Sequence, residues 1–220
     1  MAVITVSRQA GSGGDEIAKR VCELLGYHYF DKQLMTQVAA DVGLSRQEMV
    51  DFSEEHYKVK SFLDLLFSSS YVAQVRTWTQ DETGKKTLSL QELNEAQCID
   101  LIRSTVRAAY LQGNIVVVGR GGQAILKKRP NVLHVRLEAP LGTRIHRIQA
   151  REGLSYQAAK SWVAERDEAA AQYLLRFFKI RWDDPLLYHL VINTGQWELE
   201  AAAQVIAHAA SQLPAKPIHG

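Results

Sequence analysis

Cysteine is nearly missing from this chain: two in 220 residues, Cys22 and Cys98, far apart and without C-x-x-C or Cys/His spacing. That excludes a disulfide scaffold and a zinc module, and it implies reduced thiols in a cytosolic protein. Excess charge of one sign is missing too, since 26 basic residues face 24 acidic ones for a net +2. A nucleic-acid or membrane-surface partner is disfavoured on those grounds, and any anion site must be local. No apolar run approaches the ~18 residues of a membrane span, and the amino terminus enters a strand with no basic and apolar leader before it. Internal repeats, low-complexity tracts and an interdomain linker are absent as well. A soluble, cytoplasmic chain is expected. Its 46% apolar content suffices for one substantial core, so one domain is expected, with room for a mobile flap.

What is present begins at residue 3. Val-Ile-Thr-Val-Ser-Arg-Gln-Ala-Gly-Ser-Gly-Gly-Asp-Glu-Ile-Ala is a short β run, a glycine-rich turn and the start of an amphipathic helix. Gly11, Gly13 and Gly14 let successive N–H groups point at an anion where that helix starts. The full phosphate-loop pattern G-x-x-x-x-G-K-[ST] carries a lysine for the β/γ-phosphates and a hydroxyl for Mg²⁺. With its second glycine on Gly13, the lysine falls on Gly14, the hydroxyl on Asp15 and the first glycine on Arg8. The cradle is there and the ammonium is not. Taken alone, the same fragment also fits a plain tight βα connection.

Further on, Ile17, Val21, Leu24 and Leu25 mark a helix face closed by Gly26, followed by a short strand at Tyr27–Phe30 and by Asp31, placed to cap a helix from Lys32. From Gly43 to about Tyr71 the pattern is helical and irregular. Residues 77–89 are polar, contain a turn signal and read as an exposed loop. Ile99, Ile102, Val106 and Tyr110 predict a helix ended by Gly113, and Ile115-Val116-Val117-Val118 predicts a strand buried on both faces. Strands follow at Leu133–Leu137 and Leu190–Ile192. Helices are predicted after Pro140, over Ser155–Phe178 and over Glu198–Leu213. Alternation of this kind implies an α/β fold with a parallel sheet covered on both faces.

Ligands of such sheets bind beyond the carboxyl ends of the strands. Three groups fall there: Ser7–Asp15, Asp31, and Arg120 in Gly119-Arg120-Gly121-Gly122. An arginine between glycines at a strand end suits a phosphate, because its planar fork makes bidentate contacts, although a solvated loop arginine is the alternative. Arg144, Arg147 and Arg151 are spaced i, i+3, i+7 on one side of a helix. Facing solvent they are an ordinary charged face; facing the glycine loop they form a clamp for a transferring phosphoryl group. Arg166-Asp167-Glu168 reads as an intrahelical ion pair, and His134 and His189 as packed or surface histidines. No metal-ligand spacing and no Ser-His-Asp or Cys-His arrangement stands out.

In this order the pieces resemble the cytidylate kinase-like branch of the P-loop nucleoside monophosphate kinases, over nearly the whole chain. The resemblance is carried by Ile4–Arg8 with Gly11-Ser12-Gly13-Gly14 and Ile17-Ala18, Leu25-Gly26 with Tyr29-Phe30-Asp31, Val117–Gly121, Arg144 with Arg147, Arg166-Asp167, and Tyr188–Thr194. It implies a three-layer P-loop kinase fold, with core 1–42, 97–147 and 169–220, a helical monophosphate-binding insertion over 43–96 and a lid over 148–168. It also implies transfer of the ATP γ-phosphoryl group to CMP or dCMP, with Mg²⁺ bridging the phosphates. Backbone N–H groups from Gly11 through Ser12, Gly13 and Gly14 to Asp15 and Glu16 would hold ATP, with Asp15 reaching Mg²⁺ and Arg8 standing in for the loop lysine. Arg120 and Asp31 would hold the acceptor, Arg144, Arg147 and Arg151 would close over the transferring group, and Arg166 and Asp167 would form the far side of the lid. Small-molecule nucleotides are the implied partners, and a monomer or homodimer the implied state. The chain departs from cytidylate kinases proper at Val118 and Gly121, where those carry aspartates, and at residues 169–173, Ala-Ala-Ala-Gln-Tyr, where they read the cytosine and its phosphate. Within its own branch Ala170 replaces a usual arginine and His189 a usual aspartate. A catalytically weak nucleotide- or anion-binding sensor on the same fold is the second expectation.

Overall fold

Short β-branched runs alternate with helical patterns, and the computed structural model turns that alternation into a parallel sheet with helices. It describes residues 2–30, 73–80, 86–93 and 95–213. In chain order the elements are β1 (Val3–Arg8), α1 (Gly14–Leu25), β2 (His28–Tyr29), β3 (Ala73–Gln80), β4 (Lys86–Leu93), α2 (Glu95–Gln112), β5 (Ile115–Val118), α3 (Gly122–Ile125), β6 (Val132–Glu138), α4 (Leu141–Glu152), α5 (Tyr156–Phe178), a 3-10 turn (Pro185–Leu187), β7 (Leu190–Asn193) and α6 (Leu199–Ser211). The chain divides into two compact units, residues 1–29 with 110–220, and residues 30–109.

The first unit holds a five-stranded sheet in the order β2-β5-β1-β6-β7, every pair parallel. β1 lies at its centre, with Ser7 opposite Arg136 and Arg8 opposite Leu137. Successive strand residues face opposite sides of a sheet. Ile4, Val6, Val116, Val118, Leu133, Val135, Leu137 and Ile192 therefore share one side, where they pack with Ile17, Val21, Ala203 and Ile206 of α1 and α6. Thr5, Ser7, His134 and Arg136 share the other, and all four are buried. A smaller core, Ile145, Ile148, Ala159 and Val163, joins α4 to α5.

The helix ends follow local chemistry. Gly26 closes α1 in the left-handed conformation, its N–H bonded to the Cys22 carbonyl. Ser155 caps α5 by accepting from the Ala158 N–H. Among the described residues no helix is long and apolar enough to cross a membrane.

The second unit supplies a correction. Residues 77–80 and 86–89, expected in an exposed loop, belong to the antiparallel pair β3–β4, with Trp78 opposite Leu88 and Thr77 opposite Ser89. Trp78 alternates there with Thr77 and Thr79, and Leu88 and Leu90 with Thr87 and Ser89, and the strand preference of tryptophan and threonine outweighs the overall polarity. Asp31, the helix from Lys32 and the irregular pattern over 43–71 lie outside the described residues.

Candidate functional site

The glycine loop joins β1 to α1 at the carboxyl edge of the sheet. Gly11 and Gly13 take φ of 77° and 78°, conformations that glycine adopts without cost. Both are also crowded: a Cβ on Gly11 would lie 2.7 Å from the Arg144 carbonyl oxygen, and one on Gly13 would lie 2.8 Å from Leu199 Cδ2. The loop is thus wedged between α4 and the start of α6. The Ser12 N–H turns back onto the Gln9 carbonyl at 3.1 Å. No side chain caps α1 at Gly13, and the first intrahelical bond runs from the Ile17 N–H to the Gly13 carbonyl. The N–H groups of Gly14, Asp15 and Glu16 come before it and have no carbonyl one turn back to bond.

Two arginines of α4 hold that loop from behind. Arg144, 7% exposed, donates to the Ala139 carbonyl from Nε at 3.0 Å, to the Ala10 carbonyl at 3.3 Å and to Asp167 Oδ2 at 2.5 Å. Asp167 Oδ1 in turn accepts from the Ala10 N–H at 2.8 Å. Both backbone groups of Ala10 are therefore fixed by one part-buried ion pair between α4 and α5. The ion pair expected within the run Arg166-Asp167-Glu168 is an interhelical one instead. Arg147 donates to the Ser12 carbonyl at 3.1 Å, to Thr194 Oγ1 at 3.0 Å and to the Thr194 carbonyl at 2.8 Å. The Thr194 hydroxyl donates to the same Ser12 carbonyl at 2.6 Å.

The outer arginines are held differently. Arg151 is about half exposed, donates to Glu152 at 2.8 Å and stands 3.8 Å from Glu16. Its guanidinium lies 5.4 Å from the centre of the Trp162 ring, and that of Arg166 lies 3.5 Å from the same centre. Burial holds Arg166 below the ordinary arginine range, and the charge of Arg151 adds to the effect. One indole thus gathers two cations on the side of α5 that packs against α4. Arg144 and Arg147 reach the loop backbone; Arg151 and Arg166 do not.

Beside the loop, Gly119, Arg120 and Gly121 take φ of 69°, 58° and 68° in succession. Arginine in the left-handed region is uncommon and costs about 1–3 kcal/mol. The turn is held by the Gly119 N–H on the Val6 carbonyl and the Gly122 N–H on the Gly119 carbonyl. Phe178, the last residue of α5, seats on it so closely that a Cβ on Gly121 would lie 2.5 Å from the ring.

The profile of the cytidylate kinase-like family matches residues 3–196. This chain belongs to that family. It is 26% identical over 212 residues to a cytidylate kinase of Pyrococcus horikoshii, covering 96% of this chain and 89% of that one. It is 24% identical over 215 residues to a cytidylate kinase of Methanocaldococcus jannaschii, covering 96% and 98%. A crystal structure of an uncharacterized protein from Eubacterium ventriosum superposes with a TM-score of 0.63 at 19% identity, covering 96% of this chain and 99% of that one. The three-layer α/β kinase fold of the family is thereby shared.

Within this family member, two residues absent from the sequence-derived site stand out. Arg136 is 2% exposed; it donates to Glu138 at 2.6 Å and to Ser7 Oγ at 3.1 Å, and lies 4.3 Å over the Trp182 ring. Tyr188 donates to the Trp182 carbonyl at 2.7 Å and stands 3.2 Å from Ser7 Oγ. The sequence gives Arg136 little sign, because it falls on the polar phase of β6, alternating with Leu133, Val135 and Leu137, a place where a solvent-facing charge is ordinary. Thr194 is the second, and its sign was the polar end of an apolar strand. A hollow of about 320 Å³ opens beside the loop, lined by Arg147, Thr194, Gln196, Trp197 and Leu199 among others.

The loop suits a phosphate chain. The helix end is uncapped, and Ser12 Oγ, fully buried, has no hydrogen-bond partner among the described residues, a state that costs about 1–3 kcal/mol. Asp15 is half exposed and uses Oδ1 for Arg8 Nε at 3.0 Å. One carboxylate beside a polyphosphate suits Mg²⁺, which keeps most of its water and takes the rest of its ligands from substrate.

Proposed function

We propose that the protein is a nucleoside monophosphate kinase that moves the γ-phosphoryl group of ATP to CMP or dCMP. The observation that carries this reading is the doubly anchored loop. The Arg144–Asp167 pair fixes Ala10 on both sides, and Arg147 with Thr194 fixes Ser12, so the N–H groups from Gly13 to Glu16 are aimed before any ligand arrives. Preorganised donors of this kind are the main source of rate in phosphoryl transfer. ATP would lie with its phosphates over Gly11–Glu16 and its nucleoside toward the hollow at Trp197. Asp15 would hold Mg²⁺, whose part is to bridge and neutralise the donor phosphates. Arg120 would bind the acceptor phosphate from its strained turn, with Asp31 as a second acceptor contact. Arg151 and Arg166, gathered on Trp162, would face the transferring charge.

The experiment is a thermal-shift series with ATP, CMP, dCMP, UMP and AMP, followed by detection of the diphosphate product. Stabilisation by ATP and product from CMP or dCMP are expected. Stabilisation by ATP with no product from any acceptor would favour a nucleotide sensor. For the acceptor site, Arg120→Ala is expected to raise the acceptor KM with little change in melting temperature, and an unaltered KM would refute that assignment.

A further inference from the structure

Gly14 stands where a phosphate loop carries its lysine, and its backbone does not require glycine. It is absent from the positive-φ residues and lies in the first turn of α1, where glycine costs about 0.5–1 kcal/mol relative to alanine. Space explains it. A Cβ on Gly14 would lie 2.6 Å from Arg8 Cβ and 2.7 Å from Arg8 Cγ. Those are the root of the arginine side chain, which cannot swing aside as a tip could. From there Arg8 runs along the first turn of α1, its Nε donating to Asp15 at 3.0 Å. Its Nη1 lies 2.8 Å from where a Cβ on Gly119 would stand. The guanidinium therefore sits between the first turn of α1 and the Gly119–Gly121 turn.

We infer that the loop cation has been relocated from residue 14 to residue 8: the stem of Arg8 occupies the volume of a residue-14 side chain, and its guanidinium supplies the positive charge on the transferring phosphoryl group. The two arrangements exclude each other, because either side chain removes the room for the other. The same placement accounts for Gly119, whose missing side chain leaves room for the guanidinium tip. The inference rests on the kinase reading and gives the expectation that Arg8 stands in for the loop lysine its steric basis, the exchange of room between residues 8 and 14.

A steric cycle and an activity cycle test it together. Gly14→Ala should lower the melting temperature by about 3–10 °C in the presence of Arg8. In an Arg8→Ala background it should leave the melting temperature unchanged or raise it. Arg8→Ala and the neutral Arg8→Gln should each lower kcat by about 10²–10³-fold. Arg8→Ala with Gly14→Lys should recover at least about tenfold of that loss by restoring the ordinary loop. Equal destabilisation by Gly14→Ala in both backgrounds overturns the steric half. Full activity of Arg8→Gln overturns the charge half and decides the matter if the double variant does not fold; a folded double variant no faster than Arg8→Ala overturns the exchange. The kinase reading fails separately, in a wild-type protein whose melting temperature ATP does not shift or that gives no product with any acceptor. A wild type that responds to ATP beside an Arg8→Gln variant that responds and turns over equally sinks the relocation alone.

Discussion

Arg144 and Arg147 sit on the inner turns of α4, and Arg151 and Arg166 on the outer side of the α4–α5 pair. The inner two meet carbonyls, a carboxylate and a hydroxyl of the protein itself; the outer two meet an indole, and Arg151 also meets exposed glutamates. A guanidinium buried against fixed acceptors has become part of the frame. One laid on an aromatic face keeps donors that a ligand can still reach. Spacing along one helix face cannot tell these roles apart, because it says nothing of what lies opposite.

The largest effect should come from breaking the inner pair. Arg144→Ala leaves the Asp167 carboxylate, 19% exposed, beside a loop with a lost anchor, and should cost about 3–5 kcal/mol. That corresponds to a melting temperature lower by about 6–20 °C. Denaturant titration checks it, and a loss below about 1 kcal/mol would move Arg144 into the outer group.

A second test contrasts cations that keep their charge with a buried base that gives it up. His134 is 4% exposed, stacks on His189 at 5.0 Å and has Nδ1 2.7 Å from Thr5 Oγ1. Burial, and next the charge of His189, push its pKa down to about 4. The unfolded chain then binds more protons than the folded one between about pH 4 and 6.5, so stability is complete above that window and falls as pH falls through it. The loss should reach about 2 kcal/mol at pH 5 relative to pH 8, and His134→Gln should remove it from melts recorded at the two pH values. An unchanged pH dependence in that variant would place the acid-sensitive group elsewhere.

The smallest effect belongs to the outer pair. Trp162→Leu removes two cation–π contacts and should lower kcat about tenfold at a nearly constant KM for ATP. Trp162→Phe should recover part of the loss. Equal kinetics for leucine and phenylalanine would mean that the ring does not position Arg151 and Arg166.

Strand positions and helix ends were legible because they follow short-range rules. The four-residue run Ile115–Val118 and the closing Gly26 each carry their own signal, and each element stands where that signal put it. The glycine loop was legible for the same reason. Asp167 was placed in a helix but paired with the wrong partner, since its arginine lies 23 positions away on another helix. The burial of Arg136 is not legible in the sequence, because its charge is compensated by residues as distant as Ser7 and Trp182. The β3–β4 pair was missed because side-chain alternation was outweighed by polar composition.

Helix α5 is one uninterrupted rod of 23 residues, roughly 35 Å long at 1.5 Å per residue. Near its start it carries the indole that gathers two guanidinium groups, near its middle Asp167 grips the glycine turn, and its last ring rests on Gly121. A stiff lever with its fulcrum near the midpoint cannot tilt without moving its two ends in opposite senses. Whatever pulls Arg166 toward the glycine loop must therefore shift Phe178 against the Gly119–Gly121 turn, and the two ends of the helix cannot adjust independently.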